Sequence, residues 1–423
     1  MTEDLDPTTA PPPTWGASTP VGVPAGSVPP GGVAGVAPPV SAPPPSAPQP
    51  PAPQPPTPQP RPGRVTRRRW PWVLFIAVVV AIAVASRIDL NYYALQPGTA
   101  QPVQQFITVP ADKSHPVRHP VLLTDVEIGR VTALSYLYFR LSSDTALEQV
   151  AEVTGGTAAS QLGAQGALEM SQAEEYAKVA ALRRLGYPVP ATAAGAVIAG
   201  TFPGTPAFPV LSVGDVVTAV DGRSTPTAAA LTAVLDGYHS GQTVTLSVKR
   251  GGTGPAVPEP ITLHSTLVNL GYDTDGKGPY VRLDLGIEPE DQVDFALPFP
   301  VGINVTNIGG PSAGLAMTLG VIDALDGGAL TGGRTVAATG TIDAQGTVGD
   351  VGGVAQKTVA VENAGATIFM VPPQEYRAAM SKDRPGLKVY AVSTLDQALA
   401  VLAAHGGKVP PAPAAPASGA PAG

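Results

Sequence analysis

The spacing of hydrophobic and polar residues changes along this chain, and each spacing predicts a different element. In residues 165–186 the apolar positions recur at intervals of three and four, with charged residues between them: Met170, Ala173, Ala177 and Ala181. This period is that of an amphipathic α-helix, and Gly186 is expected to end it as a C-cap. The pattern therefore predicts one long helix with an apolar face.

Shorter apolar runs precede this helix, starting at residue 106. The runs FITVP, VLLTDVEIG and VTALSYLYFRL are rich in β-branched and aromatic residues and are broken by Pro and Gly. Runs of this length and composition are typical of strands. We expect them to form a sheet.

An uninterrupted apolar run extends from Trp70 to Ala85. It carries no charge, Ile88 and Leu90 extend it, and five arginines precede it between residues 61 and 69. An apolar stretch close to the length of a bilayer core, with arginines on one side, is the signal of a membrane-spanning helix. The pattern predicts an anchor over residues 70–90.

The orientation of this anchor follows from its flanks. Lys and Arg favour the cytoplasmic side, so the N-terminus is expected in the cytoplasm and the chain after the anchor outside the cell membrane. Aromatic residues that fit the two membrane interfaces are Trp70, Trp72, Tyr92 and Tyr93. The alternative is a cleavable signal peptide, since Ala83-Val84-Ala85 offers small residues at a cleavage position. We interpret the run as an uncleaved anchor because a charged n-region does not normally follow a long proline-rich arm.

From residue 195, short strand-like runs alternate with turns and one helical segment. A strand over GAVIAGTF is followed by a loop, a strand that ends at Asp221-Gly222, a helix over TAAALTAVLDGY and a strand over QTVTLSVKRGG. This order, with Thr205-Pro206-Ala207 and residues 213–217 in the loop and second strand, resembles a PDZ domain. The resemblance implies that an extended peptide binds as an added strand beside the helix. It also implies a carboxylate-binding loop near Leu185-Gly186-Tyr187.

Composition narrows the classes of function. Of 423 residues, 50 are proline and 48 glycine, so much of the chain is not packed core, and the Pro-rich residues 1–69 and 405–423 are expected to be disordered. A net charge of -7 gives no general attraction to nucleic acid. The sequence has no cysteine, and its five histidines are scattered rather than set at metal-ligand spacing. We expect no nucleic-acid partner, no metal and no cofactor.

Candidate chemistry lies in the stretch IGGPSAGLAMTLG, residues 308–320. Two glycines and a proline precede Ser312, the residues after it have helical spacing, and Pro311 fits the first helical turn. The stretch is either an ordinary helix start or a serine nucleophile beside backbone N–H groups that face a developing oxyanion. This stretch alone does not separate the two interpretations.

The catalytic partner of such a serine is not expected to be histidine. Gly310-x-Ser312-x-Gly314 fits the nucleophile elbow of α/β-hydrolases, but that mechanism needs a histidine after the serine. The chain has only His405 there, next to the C-terminal proline tail, and the nearest upstream histidine is His264. A Ser-His-Asp triad is therefore not expected.

A lysine can replace histidine when burial keeps its amine neutral. Lys357 has Val354 three positions before it and Ala360 and Val361 three and four positions after it, so on a helix it lies along the apolar face. The alternative is a lysine at the edge of the core whose amine reaches solvent. Lys357 is the candidate general base.

These segments together resemble the proteolytic domain of the Lon family. The landmarks are Gly310-Pro311-Ser312-Ala313-Gly314, then ATGTIDAQGTVGDVGG, then Gly352-Gly353-Val354-Ala355-Gln356-Lys357. The resemblance implies a Ser312–Lys357 dyad with Thr339 hydrogen-bonded to the lysine. Backbone N–H groups around Gly309, Gly310 and Ser312 are expected to hold the oxyanion. An anchor and a PDZ-like domain within a Lon-type protease resemble the YlbL-type bacterial branch of that family.

Two features depart from many Lon enzymes. Gly309 stands where they carry an acidic residue three positions before the serine, and the nearby Asp343 and Asp350 are explained by turn formation. The sequence contains no Gly-x4-Gly-Lys-Ser/Thr motif for binding ATP. Substrates are therefore expected to be already extended, or presented by the PDZ-like domain.

The predicted fold is α+β, a Lon-type proteolytic domain with an inserted PDZ-like domain. Its regions in chain order are a cytoplasmic arm (1–69), an anchor (70–90), the first part of the protease domain (95–186), the PDZ-like domain (187–268), the catalytic part (269–404) and a tail (405–423). The predicted function is that of an extracytoplasmic serine endopeptidase acting on unfolded or tail-bearing proteins, with homo-oligomerisation implied by the resemblance. The alternative is an inactive PDZ scaffold that recruits partners at the membrane.

Overall fold

The computed structural model describes residues 70–150, 153, 160–269, 280–382 and 385–412. The predicted arm (1–69) and most of the predicted tail (413–423) lie outside the described residues. The α-helices are α1 (Trp70–Ala85), α2 (Ala133–Leu141), α3 (Leu162–Arg184), α4 (Ala228–Leu235), α5 (Gly314–Leu325), α6 (Val354–Asn363), α7 (Tyr376–Met380) and α8 (Leu395–Ala404). Short 3-10 helices cover Val103–Phe106, Arg250–Gly252 and Pro373–Glu375.

In the part of the chain that the structure describes, the strands form two six-stranded sheets and three short pairs. Before the PDZ-like region they are β1 (Asp89–Pro102), β2 (Ile107–Thr108), β3 (Leu122–Thr132) and β4 (Ala146–Gln149). Within it they are β5 (Ala191–Thr201), β6 (Val216–Val220), β7 (Arg223–Ser224), β8 (Thr243–Lys249), β9 (Val257–Thr262) and β10 (Thr266–Asn269). After it they are β11 (Tyr280–Leu283), β12 (Ile287–Phe295), β13 (Gly302–Ile303), β14 (Val336–Ala338), β15 (Thr341–Ile342), β16 (Val348–Gly349), β17 (Ile368–Val371) and β18 (Lys388–Ala391).

The first sheet joins residues from both sides of the PDZ-like region. Its order is β18-β17-β14-β3-β1-β4, and β14 pairs in parallel with β3 through Ala337 and Leu122. Alternate residues of a strand face opposite sides of a sheet. Accordingly Val336 and Ala338 lie in the core with α3, α5 and α8, while Ala337 lies in a second core with α6 and α7. The sheet therefore carries a helical layer on each face.

The predicted amphipathic helix is α3. Met170, Ala173, Ala177 and Ala181 are buried, as the spacing indicates. Gly186 has φ +85° and its N–H donates to the Arg183 carbonyl at 2.9 Å, which closes the helix in the left-handed conformation that glycine allows. This prediction is confirmed.

The second sheet has the order β12-β5-β6-β8-β9, with β7 paired to β6. Asp221 and Gly222 have positive φ values of 47° and 77°, so they form the tight turn expected between β6 and β7. The helix α4 packs its buried Leu231 against this sheet. The edge strand β12 comes from residues expected in the catalytic part, so the PDZ-like sheet extends beyond the predicted limit of residue 268.

Two predicted elements differ in the structure. Residues 133–141, expected as a strand, form the helix α2, because Thr132 and Ser135 make a reciprocal capping box at its start. The apolar helix α1 ends at Ala85, where Ser86 and Arg87 close it, and the sheet pairs β1 from Asp89 onward. Leu90 therefore does not extend α1, and Tyr93 lies buried in the first sheet rather than at a membrane interface.

The helix α1 contains no charge and buries none of its residues. Within the described residues, no helix combines the length and the apolar composition that crossing a membrane requires.

Gly320 offers a test of the packing around α5. A Cβ at this position would lie 2.5 Å from Val103 Cγ1 and 2.6 Å from Ile107 Cδ1. Gly320→Ala is therefore expected to lower the free energy of unfolding by about 1–3 kcal/mol, although alanine favours a helix. Urea denaturation measures the change.

Gly163→Ala in α3 is the matched control, since nothing lies within 4 Å of a Cβ there. It should leave stability unchanged or raise it by up to about 1 kcal/mol. Equal effects of the two substitutions would contradict close packing at Gly320.

Candidate active site

Ser312 lies in a loop that rests on α3 and leads into α5. Gly310 has φ +89°, a conformation that favours glycine, and its N–H donates to the Gly166 carbonyl at 2.8 Å. A Cβ added to Gly309 would lie 3.4 Å from Gly166. The two glycines thus allow the loop to approach the α3 backbone closely. Pro311, expected in the first turn of the helix, precedes Gly314, where α5 begins.

The main chain of Ser312 is held by the turn that follows β14. The Ser312 carbonyl accepts hydrogen bonds from the Gly340 N–H at 3.0 Å and from Thr339 Oγ1 at 3.2 Å. The Leu315 N–H donates in return to the Gly340 carbonyl at 3.1 Å. These three bonds fix the position of the serine at the C-terminal end of β14.

Lys357 approaches the same turn from the other face of the sheet. It lies in the first turns of α6, with 2% of its surface exposed, and Nζ donates to Thr339 Oγ1 at 3.3 Å. The start of α6 is pressed against β3, because a Cβ on Gly353 would lie 2.8 Å from Val126 Cγ1. Thr339 therefore connects the lysine amine to the Ser312 backbone. In the described part of the chain, the amine makes no hydrogen bond to Ser312 Oγ.

Burial controls the charge of Lys357. Desolvation lowers the pKa of its amine from 10.5 to about 8, and the carboxylates of Asp125 and Glu375 oppose this by raising it. A pKa near 8 leaves about a tenth of the amine neutral at pH 7, whereas the ordinary value leaves less than about a thousandth. The lysine is thus placed to accept a proton near neutral pH.

The two carboxylates near Lys357 were not found from the sequence. Asp125 is held by the Thr99 N–H at 2.5 Å and belongs to β3, far from Lys357 along the chain. Glu375 follows β17, and burial and Asp350 raise the pKa of its carboxyl while Lys357 lowers it. Asp343 has the predicted turn role, since its carboxylate accepts the N–H groups of Gln345 and Thr347.

One of the three expected backbone donors around Ser312 is occupied in the structure. The Gly310 N–H is already bonded to Gly166, so in this conformation it is not free for an oxyanion. Within the residues described, the N–H groups of Ser312 and Ala313 donate to no protein acceptor, and both precede the N-terminus of α5. The Gly309 N–H also has no protein acceptor among these residues, so of the expected donors only Gly310 is occupied. Ala313 was missed because its side chain carries no signal.

The two candidate histidines have other partners. His405 Nδ1 lies 2.8 Å from the Val401 carbonyl, and Nε2 lies 3.0 Å from the Tyr390 hydroxyl. His264 Nδ1 lies 3.1 Å from Thr266 Oγ1. Neither is hydrogen-bonded to Ser312, as the sequence led us to expect.

A cleft of about 450 Å³ opens beside the serine loop, between α3 and residues 304–309. Small residues of α3 line one wall, including Gly163, Gly166 and Ala167, and Gly309 closes the end nearest Ser312. The carboxylate of Glu169 lies next to this end, 3.8 Å from where a Cβ on Gly310 would be. Burial raises the pKa of Glu169 despite a hydrogen bond from Gln165. The cleft lies next to the loop that carries Ser312.

A second groove lies in the PDZ-like region. It encloses about 320 Å³ between α4 and the edge strand β12, with Leu231, Thr232 and Leu235 on the helix side. Its end is formed by residues 284–287, where Gly286 has φ +80°. The loop at residues 185–187, predicted to bind a carboxylate, instead packs Leu185 and Tyr187 against the protease core. One side of the groove is therefore β12, a strand that follows the predicted PDZ-like region in the chain.

Two segments of the chain match known protein families. Residues 283–404 match the Lon protease (S16) C-terminal proteolytic domain, and residues 171–257 match the PDZ domain. The chain thus carries a Lon-type proteolytic domain together with a PDZ domain.

Curated relatives are Lon proteases. Lon protease 2 of Bacillus subtilis is 36% identical over 115 residues, which are 27% of this chain and 20% of that protein. Lon protease of Methylocella silvestris is 33% identical over 135 residues, 31% of this chain and 16% of that protein. The match therefore spans a fifth or less of each relative. Among solved structures, the PDZ domain of the SdrC-like protein of Listeria monocytogenes is 22% identical and covers 23% of this chain and 87% of that one, with a TM-score of 0.17.

The buried lysine should reduce the stability of the fold. Its lowered pKa means that the unfolded state binds more protons between pH 8 and 10.5, so stability rises with pH across that window and is lowest below it. Lys357→Met removes this effect, and we expect it to raise the free energy of unfolding at pH 7 by on the order of 3 kcal/mol. Urea denaturation at pH 7 and pH 10 measures both changes.

Lys388→Met is the control, because Lys388 is exposed in β18. It should leave the stability at pH 7 and its pH dependence unchanged. A Lys357→Met variant less stable than the parent at pH 7 would show that the amine is well solvated or paired.

Proposed function

We propose that this protein is an ATP-independent serine endopeptidase that uses a Ser312–Lys357 dyad. The observation that carries the proposal is the buried Lys357 amine, linked through Thr339 to the backbone of Ser312 at distances of 3.3 and 3.2 Å. A buried lysine without a hydrogen bond to a carboxylate lowers the stability of a fold and is typical of a functional site. The match of residues 283–404 to a Lon-type proteolytic domain supports the same chemistry.

In the proposed reaction, the neutral amine of Lys357 accepts the proton of Ser312 Oγ as the oxygen attacks a peptide carbonyl. The attack forms a C–O bond and a tetrahedral oxyanion. The protonated lysine then gives its proton to the leaving amine, the C–N bond breaks, and an acyl-enzyme remains. Lys357 then takes a proton from water as the water attacks the ester. It returns this proton to Ser312 Oγ as the ester C–O bond breaks, which releases the second product and the free serine.

The roles of the neighbouring groups follow from their bonds. Thr339 orients the amine by accepting its hydrogen bond, and the Thr339 hydroxyl donates in turn to the Ser312 carbonyl. Ser312 and Ala313 N–H groups, with the N-terminus of α5 behind them, are suited to hold the oxyanion. Productive attack requires the amine to move from Thr339 toward Ser312 Oγ, a tightening that is common when substrate binds.

The PDZ domain is proposed to bind extended or C-terminal peptide segments of the substrate. The groove between α4 and β12 has a sheet edge on one side and apolar helix residues on the other, which suits an added strand. β12 also contacts the protease part, since Gln172 of α3 donates to Glu290 at 3.1 Å. Substrate held in the groove is thus close to the protease domain.

We also propose that the protein is anchored in the cell membrane, with the peptidase outside the cytoplasm. The support is the uncharged run Trp70–Ala85, the arginines before it and the absence of buried residues along α1. The competing proposal is an inactive PDZ scaffold at the same membrane. The shared Ser312, Thr339 and Lys357 contacts favour the enzyme, because a binding module has no need of a buried amine beside a serine.

The dyad is tested by substitution and by pH. Ser312→Ala and Lys357→Ala should each reduce hydrolysis of an unfolded protein by roughly 10³-fold or more, and the double variant should lose little beyond either single one, because the two groups act as a unit. In the parent, labelling of Ser312 by a serine-reactive phosphonate should increase with pH and reach half its maximum near pH 8.

Two further variants make the pH test specific. Asp125→Asn removes a carboxylate that raises the pKa of Lys357, so the midpoint should move to lower pH. Ser381→Ala, at an exposed serine of the same domain, should change neither activity nor labelling. Hydrolysis that survives Ser312→Ala would exclude the dyad and favour the scaffold.

The proposed peptide groove is tested by filling it. Thr232 lies on the exposed side of α4 and lines the groove, so Thr232→Trp should weaken binding of a tail-bearing substrate by roughly tenfold. Cleavage of a short peptide without a tail should be unaffected. Fluorescence anisotropy measures the first effect and a peptide assay the second.

Ala233→Trp is the matched control, since Ala233 is exposed on the same helix outside the groove lining. It should bind the tail like the parent. Equal loss in both variants would indicate damage to α4, and no loss in either would place tail recognition elsewhere.

A further inference from the structure

The helix α2 presents an apolar face to solvent. Its apolar residues are exposed to a degree unusual for side chains of this size: Leu134 44%, Leu137 66%, Tyr138 69% and Leu141 81%. Their spacing of three and four puts them on one side of the helix. No residue of α2 is fully buried. The helix therefore has a complete apolar face without a protein partner in the described residues.

This face lies where the first sheet meets α1. Asp89, at the start of β1, pairs with Thr132, at the end of β3, and the Ala133 N–H donates to the Ile88 carbonyl at 2.9 Å. α2 thus begins at the point where the chain leaves α1, and the two helices are in contact. The exposed apolar residues of α2 therefore lie near the end of the uncharged helix α1.

The charges around α2 suit a lipid surface. The helix has no acidic residue and carries Arg140 in its last turn. Arg87 and Arg130 are exposed at the same end of the sheet, with Asp89 as the acidic residue beside them. Asp144, just after the helix, lies 3.5 Å from Lys382. Apolar and tyrosine side chains with arginines at their margin are the composition of helices that lie in the headgroup region of anionic membranes.

We propose that α2 lies in the membrane interface beside α1 and holds the protease domain against the bilayer. The inference rests on the proposed anchorage, which α1 provides, and adds a second contact. A lipid surface is favoured over a second copy of the chain because the face adjoins α1 and carries cationic margins. Two contacts with the bilayer restrict the tilt of the domain more than α1 alone does.

The first sheet then sets the distance between the active site and the bilayer surface. β14 runs parallel to β3 and pairs with it at Leu122, so the end of β14 at Thr339 faces the same way as the end of β3 at Thr132. About eight residues of β3 separate the two levels, which is on the order of 25 Å along the strand. The docked domain would hold Ser312 at this distance from the bilayer, on the side that faces it.

The absence of cysteine from the sequence allows a direct test on the full chain. Leu137→Cys in α2 is labelled with an environment-sensitive fluorophore, and the protein is reconstituted in vesicles of phosphatidylcholine and phosphatidylglycerol. Lipids with a nitroxide near the headgroup are the quencher. Leu74→Cys in α1 reports the anchor, and Lys388→Cys, exposed at the opposite end of the sheet, is the control.

We expect the label at residue 137 to be quenched about twofold or more and the label at residue 388 to be unaffected. Quenching at residue 74 without quenching at residue 137 would overturn the docking of α2 and leave the anchor intact. Quenching at residue 137 without quenching at residue 74 would support the docking of α2 on the bilayer and refute the anchorage through α1. No quenching at either residue would overturn both.

Two further measurements separate lipid contact from misfolding and from dimerisation. Replacing Leu134, Leu137 and Leu141 together by Gln, with the label moved to Tyr138→Cys, should abolish quenching in a protein with unchanged circular dichroism. If unlabelled Leu137→Cys instead forms disulfide-linked dimers and its label is not quenched, the face joins two copies of the chain, and the lipid contact is refuted.

Discussion

The burial of one amine is the constraint on which the rest of the site depends. Lys357 accepts a proton near neutral pH only because desolvation lowers its pKa to about 8. That desolvation requires α6 to be packed tightly on β1 and β3, which the left-handed Gly353 allows by bringing its backbone against Val126. A looser helix would hydrate the amine and return it to its charged form.

The same sheet brings the serine to the lysine from the opposite side. α5 and α6 cover different faces of the first sheet, and their N-terminal ends meet at the turn after β14. Thr339, in that turn, bonds to both partners, so the relation between Ser312 and Lys357 is fixed through backbone and sheet rather than through a direct contact. Asp125 and Glu375 then limit how far the lysine pKa falls.

The PDZ domain is connected to the protease domain by hydrogen bonds as well as by the chain segments that link them. Its edge strand β12 is supplied by the chain that returns to the protease domain, and Asp291 in that strand accepts the first N–H of α4 at 2.8 Å. Gln161 bonds to Thr201 of β5 at 2.6 Å. Gln161, beside the start of α3, and Gln172, within α3, therefore connect the PDZ sheet to the helix that forms one wall of the cleft beside Ser312.

Local patterns in the sequence determined a large part of this protein. Several features depend on residues close together in the chain and could therefore be predicted without the fold. They are the period of α3, its Gly186 cap, the Asp221-Gly222 turn and the landmarks at Ser312, Thr339 and Lys357. The capping box at Thr132 was equally local, but the aromatic content of residues 133–141 favoured a strand and was misleading.

Only the tertiary structure decided which carboxylates face Lys357, that the Gly310 N–H is occupied by Gly166, and that β12 completes the PDZ sheet. Those relations join residues far apart in sequence, and their energies come from packing and desolvation, which no local pattern encodes.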